Sequence, residues 1–289
     1  MRRAIKLALI AIVALVAVAV WQHLRITQVR QELFVEFAPV ALSNCELERF
    51  GDANDGGYLL CGNLLSEVRA AYSYGINATD NWGCQVARDL GVTTHQYDCF
   101  NTEEPACNNT ATMFHAECVG PEAATIDGRR FDTVASQVAR NGDTGKRLVV
   151  KMDVEGSEWT SLRTASDTLL NTIDQIAVEF HKVEDPALVN TVRRLKQLFH
   201  VVHTHQNNFG CEPGLDPFPG SYFEVLFVSK RLGQVASGAT VTLPHPLDAP
   251  NAPWLPDCQQ LPADPPSELS LFRRWVRREA RKQFPGLGL

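Results

Sequence analysis

The stretch Leu148-Val149-Val150-Lys151-Met152-Asp153-Val154-Glu155-Gly156-Ser157-Glu158-Trp159 decides the fold. An apolar, β-branched run that ends in clustered carboxylates and a glycine reads as a strand covered on both faces. Such a strand delivers its acids to the rim of a parallel sheet, where α/β enzymes keep their chemistry. Gly156 marks the turn out of the strand, and Ser157 is placed to cap a following helix. Trp159, Leu162, Leu169 and Leu170 give that helix its apolar side.

Upstream, Val68 to Ile76 reads as a strand that runs into Gly75-Ile76-Asn77. Trp82, Val86 and Leu90 then recur at helical spacing up to a stop at Gly91, and Thr93 to Tyr97 is a second strand ending at Asp98 and Cys99. Nucleotide-binding folds place a glycine where backbone must approach the ligand and an acid about 20 residues later for ribose hydroxyls. Gly75 and Asp98 meet that spacing, although Gly75 is followed only by Gly83 and no multi-glycine fingerprint is complete.

Thr112 to Val119 reads as a third strand, and Phe131 to Arg140 as a short helix before the acidic strand. Downstream, Ile173 to Phe180 is a strand that brings Glu179 and His181 to the rim beside Asp153 and Glu155. Asp185-Pro186 opens a helix with Leu188, Val192, Leu195, Leu198 and Phe199 on one side. His200 to Thr204 and Tyr222 to Ser229 close the pattern as a hairpin of strands. Alternating strands and helices make this an α/β chain with a doubly wound sheet.

The chain has 289 residues, 45% of them hydrophobic, which suits one large domain with extensions. A net charge of −6 gives no reason to expect nucleic acid as a partner. Arg2, Arg3 and Lys6 precede an apolar run from Leu7 to Val20, so residues 1–22 read as a transmembrane signal anchor that leaves the remainder lumenal or extracellular, a type II arrangement. Cleavage after Ala17-Val18-Ala19 and secretion is the alternative. Residues 23–44 read as a stem, 45–232 as the main domain and 233–289 as a proline-rich segment with a basic helix, Leu269 to Phe284. That helix is either docked by its aromatic side or laid on an anionic membrane. Eight cysteines beyond an export signal point to disulfides, and with no CxxC pair no zinc site is expected.

Lys-Met-Asp-Val-Glu-Gly-Ser-Glu-Trp, residues 151–159, resembles the hallmark of the FkbM-type methyltransferases and of a related secretory group of methyltransferase-like proteins. The likeness extends more loosely from Asp55-Gly56-Gly57-Tyr58 to Phe223-Glu224-Val225-Leu226-Phe227. It implies a Rossmann-like methyltransferase sheet with an antiparallel strand near one edge, and S-adenosyl-L-methionine as cofactor. Gly75, Ile76 and Asn77 would then line its methionine end, with Asp98 and Cys99 on the ribose side and the Asp55-Gly56-Gly57 loop folded over the bound molecule. The acceptor would be a small molecule or a glycan.

Methyl transfer to a hydroxyl needs alignment and removal of a proton, for which Asp153, Glu155 and His181 are the candidates. An internal hydrogen-bond network is their structural alternative. A lumenal glycosyltransferase that uses Asp153-Val154-Glu155 as a metal-binding triplet is a second reading. A methyltransferase fold that has lost catalysis and only binds is a third.

Overall fold

All five residues of the run Leu148–Met152 are buried, as are all eight of Ile173–Phe180, so both strands are covered on both faces. The computed structural model describes residues 2–108, 110–183, 186–211 and 217–258. Seven strands form its main sheet: β1 (Ala70–Tyr74), β2 (Thr93–Tyr97), β3 (Thr112–His115), β4 (Leu148–Met152), β5 (Ile173–Phe180), β6 (Phe199–Gln206) and β7 (Phe223–Ser229). They lie in the order β3-β2-β1-β4-β5-β7-β6. Only β7 runs antiparallel, inserted between β5 and the edge strand β6.

Helices cover one face: α1 (Arg2–Glu36), α3 (Val134–Arg140), α4 (Glu158–Thr164), α5 (Asp167–Leu170) and α6 (Pro186–Leu198), whose apolar side chains join Tyr72, Val150 and Val178 of the strands. The other face carries α2 (Asn81–Leu90) and a hairpin of Leu47–Phe50 with Tyr58–Cys61. The hairpin is docked by Gln175 of β5, which accepts from the Cys61 amide at 2.8 Å and donates to its carbonyl at 2.9 Å. A buried amide side chain thus stands in for a strand neighbour and satisfies backbone groups that would otherwise be orphaned.

Several expectations needed correction. Thr112 to Val119 is not one strand. β3 stops at His115, and Cys118–Val119 turns away to pair with Arg129–Asp132 in a small separate sheet. Ion pairs from Glu117 to Arg130 and Arg140, and a disulfide at Cys118, fasten the chain at that bend. Phe131 accordingly belongs to a strand. The helix starts only after Thr133, whose extended backbone and hydroxyl, accepting from the Ser136 amide, cap it.

The segment read as a stem is helical as far as Glu36. Val29, Leu33 and Phe37 enter the core, with Phe37 stacked on Phe180 at 5.6 Å, and buried Arg30 donates to the Phe218 and Gly220 carbonyls. Among the described residues no helix is long and apolar enough to cross a membrane. The structure therefore lends the N-terminal anchor no support. The side chains of residues 1–13 and of residue 15, which carry most of the apolar run, lie outside the described set. The basic helix from Leu269 to Phe284 also lies outside the described residues, as does the Asp185 cap.

All eight cysteines are paired: 45 with 61, 84 with 107, 99 with 118 and 211 with 258. Four disulfides are what an extracellular or lumenal protein carries. The last of them closes a strap, residues 245–258. This strap is irregular, as its prolines dictate, and is tied down by His203 to Asp248 at 2.8 Å and by Asn251 to Glu224 at 2.6 Å. Digestion without reduction should return these four linked peptide pairs, and alkylation of the unreduced, denatured chain should label none of the eight cysteines. Labelling of most of them would overturn the oxidised frame.

Candidate functional site

Strand order reverses between β1 and β4, because β1 continues toward β2 on one side while β4 continues toward β5 on the other. Open α/β sheets bind their ligands at such a switch point, outside the carboxyl ends of the strands. A cleft of about 440 Å³ lies there, lined by Tyr74, Gly75, Asn77, Asp98, Asp153 and Glu155 among others. That volume suits a small-molecule site, which typically spans roughly 300–1,000 Å³.

The cleft exists because of a close backbone approach. Gly75 has φ +75°, and a Cβ built on it would stand 1.6 Å from the Asp153 carbonyl oxygen. No other residue fits, for reasons of conformation and of space. Lys151, buried in β4, donates to the Gly75 carbonyl at 2.5 Å and lies 3.7 Å from Asp153, so it fastens the glycine turn to the acidic strand.

The Asp98 carboxylate is engaged by backbone amides in this structure. One carboxylate oxygen accepts from the amides of Ile76 (3.1 Å) and Asn77 (2.9 Å), the other from those of Phe100 (2.8 Å) and Asn101 (3.0 Å). A carboxylate has about four lone-pair sites, and four backbone donors fill them. Asp98 therefore ties the loop after β1 to the loop after β2, and meeting a ribose would require it to release an amide. Asn77 and Ala78 hold φ of 44° and 62°, a backbone cost that this clasp offsets. Cys99 lines the cleft as half of the Cys99–Cys118 disulfide and offers no thiol.

A second set of groups converges where β4 and β5 end. One ligand-type atom each from Asp153, Glu179 and His181 lies within 4.8 Å of the others. Each is oriented from behind. The Tyr58 hydroxyl donates to Asp153 Oδ2 at 3.0 Å, and Asn207 donates to Glu179 Oε1 at 2.8 Å. His181 Nδ1 is 2.9 Å from Glu158 Oε1. That same Glu158 oxygen accepts from the amides of Val154 (2.8 Å) and Gly156 (3.2 Å), which identifies it as an acceptor and makes Nδ1 the protonated nitrogen.

Burial pushes the Glu179 carboxyl well above the usual carboxylate range, and the charges of Asp153 and Glu224 add to the effect. Burial likewise drives the Tyr58 hydroxyl up, with Asp153 and Glu179 reinforcing it. For His181, burial works against the charged ring. The hydrogen bond and charge of Glu158, helped by Asp153 and Glu155, outweigh it and move His181 upward.

The structure thus lines one side of the cleft with Gly75, Asn77, Asp98 and Cys99 and the other with Asp153 and Glu155, whereas the Ile76 side chain is buried and His181, 3.9 Å from Asp153, is not part of the lining. Glu155 lines the cleft but is not among the three donors that converge. Its side chain is 86% exposed on a residue with φ 56°, although it comes within 3.6 Å of His181 Nε2. The triplet Asp153-Val154-Glu155 is accordingly not the group of donors that meets. Glu179 and His181, supplied by the next strand, take the place of Glu155.

Sequence reading passed over Tyr58, Lys151, Glu158 and Asn207 as site residues. Lys151 and Glu158 lie inside the stretch 148–159, while Tyr58 and Asn207 give no local signal because they arrive from a hairpin and from the end of β6. A scan against protein-family models, a search of curated proteins and a search of solved structures each returned no match.

Removing the clasp should be measurable. Asp98→Ala leaves four amides to water and should cost about 1–2 kcal/mol of stability in denaturant unfolding. An unchanged midpoint would show that the loops do not depend on it.

Proposed function

We propose that this chain is an S-adenosylmethionine-dependent methyltransferase that acts on an oxygen of a small molecule or glycan. The observation that carries the reading is the sheet itself. Its order β3-β2-β1-β4-β5-β7-β6 has one antiparallel strand, next to the edge, and its switch point is opened by a glycine with no room for a Cβ. This agrees with the sheet implied by the resemblance of residues 151–159 to FkbM-type methyltransferases.

The residues present fit such a cofactor in two respects. The cleft has the volume, and the Gly75 turn lets ligand approach the backbone. The cofactor would supply an electrophilic methyl group. Gly75 and Asn77 would bind its amino-acid end, and the loop clasped by Asp98 would hold it by shape rather than through the carboxylate. Asp153, at the mouth of the cleft and held by Tyr58, would accept the proton of the acceptor hydroxyl. Asp55, in the hairpin turn, lines that end of the cleft, and Tyr58 begins the hairpin's second strand.

The saturation of Asp98 favours a second reading, a methyltransferase fold that binds a ligand without S-adenosylmethionine. Thermal-shift titration separates the two. Binding to the native state raises stability by mass action, so S-adenosylmethionine and S-adenosylhomocysteine should each raise the Tm of the purified chain in a saturable way. No shift with either would leave the second reading.

Asp153→Asn keeps the shape and removes the charge. Methyl transfer to an acceptor found by screening should fall by roughly a hundredfold, the contribution of a general base, with cofactor affinity little changed. Full activity would remove Asp153 from proton transfer.

A further inference from the structure

At the strand ends one ligand-type atom each from Asp153, Glu179 and His181 lies within 4.8 Å of the others. Glu179 is 3% exposed and His181 4%, and the carboxylates of Asp153, Glu155, Glu158 and Glu224 act on one or other of these two groups. Lys151 donates to the Gly75 and Tyr74 carbonyls and lies 3.7 Å from Asp153, and His205 pairs with Glu224 at 3.1 Å, so His181 is the basic group that faces both Asp153 and Glu179.

Glu158 fixes the proton on Nδ1, so Nε2 turns its lone pair toward Glu179 Oε1 at 3.5 Å, the exposed Glu155 Oε2 at 3.6 Å and Asp153 Oδ1 at 3.9 Å. These separations are long for hydrogen bonds. They match donors that share an ion, since atoms about 2.1 Å from one centre lie about 3–4.2 Å apart.

We propose that Asp153, Glu179 and His181 form a binding site for one divalent transition-metal cation, with manganese or zinc the fitting class. Two carboxylates alone would suit magnesium or calcium; the imidazole shifts the preference toward manganese and zinc. The arrangement behind the donors is the kind that orients metal ligands: Glu158 on the far nitrogen of His181, Tyr58 on Asp153 and Asn207 on Glu179. Asp153 also lines the cleft, so the unfilled coordination positions face it and could take an acceptor oxygen. That last placement rests on the methyl-transfer reading, whereas the cation site does not.

The test uses the untagged, oxidised full chain after chelator treatment. Titration with MnCl₂, followed by loss of the free-ion electron paramagnetic resonance signal, should show one ion per chain and a saturable rise in Tm. Zinc should compete for the same site. Glu179→Gln and His181→Asn should each weaken binding by about tenfold or more. In the wild-type chain, bound manganese should broaden the His181 ring signals in nuclear magnetic resonance spectra, which locates the ion even if a variant fails to fold.

Absence of binding, or binding that leaves His181 sharp and is indifferent to Glu179→Gln, would overturn the site and leave His181 as an imidazolium among carboxylates. The S-adenosylmethionine titration is run separately. Manganese binding without cofactor binding would remove only methyl transfer, and the reverse result would remove only the cation.

Discussion

The contact on which the rest of this site depends is the approach of the Gly75 backbone to the Asp153 carbonyl, where a Cβ would stand at 1.6 Å. Two parallel strands meet there at the point where the sheet changes direction, and their turns must pass one another without side chains between them. Lys151 keeps them together from below by donating to the Gly75 carbonyl. Asp98 fixes the turn from the side by collecting four amides. Once this crossing is set, the cleft, the position of Asp153 and the path of the loop after β1 follow from chain connectivity.

The cleft is bounded by two differently built walls. On the β1–β2 side the polar groups are mutually satisfied, backbone amides against one carboxylate, with a disulfide closing the edge. That wall offers a ligand mainly shape and exposed backbone. On the β4–β5 side the groups are oriented but not satisfied. Carboxylates face one imidazole nitrogen at distances too long for hydrogen bonds, and burial moves Glu179 away from its ordinary range. The second wall is the one with polar groups left to meet a ligand, whereas the first is largely saturated.

The hairpin and the strap connect stability to this second wall. Gln175 and the Cys45–Cys61 disulfide hold the hairpin against the sheet, and the hairpin in turn holds Tyr58 against Asp153. Asn251 of the strap reaches both Glu224 and Asp55, one beneath the acidic cluster and one at its mouth. An exported domain with irregular segments of this length gains from disulfides, which restrict the unfolded chain and so help offset the entropy of ordering these loops.

The sequence by itself determined the alternation of strands and helices, because buried parallel strands must be apolar on both faces and surface helices must be apolar on one. Thr93–Tyr97 and Ile173–Phe180 fall where the pattern put them, Gly91 ends α2 in the left-handed conformation, and Gly75 is a glycine by necessity. It also determined that Asp153 and His181 share one rim. The tertiary structure alone decided that Thr112–Val119 breaks at His115, since Arg130 and Arg140, which hold the bend at Glu117, come from elsewhere in the chain. It decided as well that α1 enters the core, that Asp98 spends its charge on backbone, and that Glu179 joins Asp153 at His181. In each case a period or a spacing fixes which side of an element a residue occupies, but not which distant group will meet it there. Charges reach their partners through strand order and loop path, which no local stretch encodes.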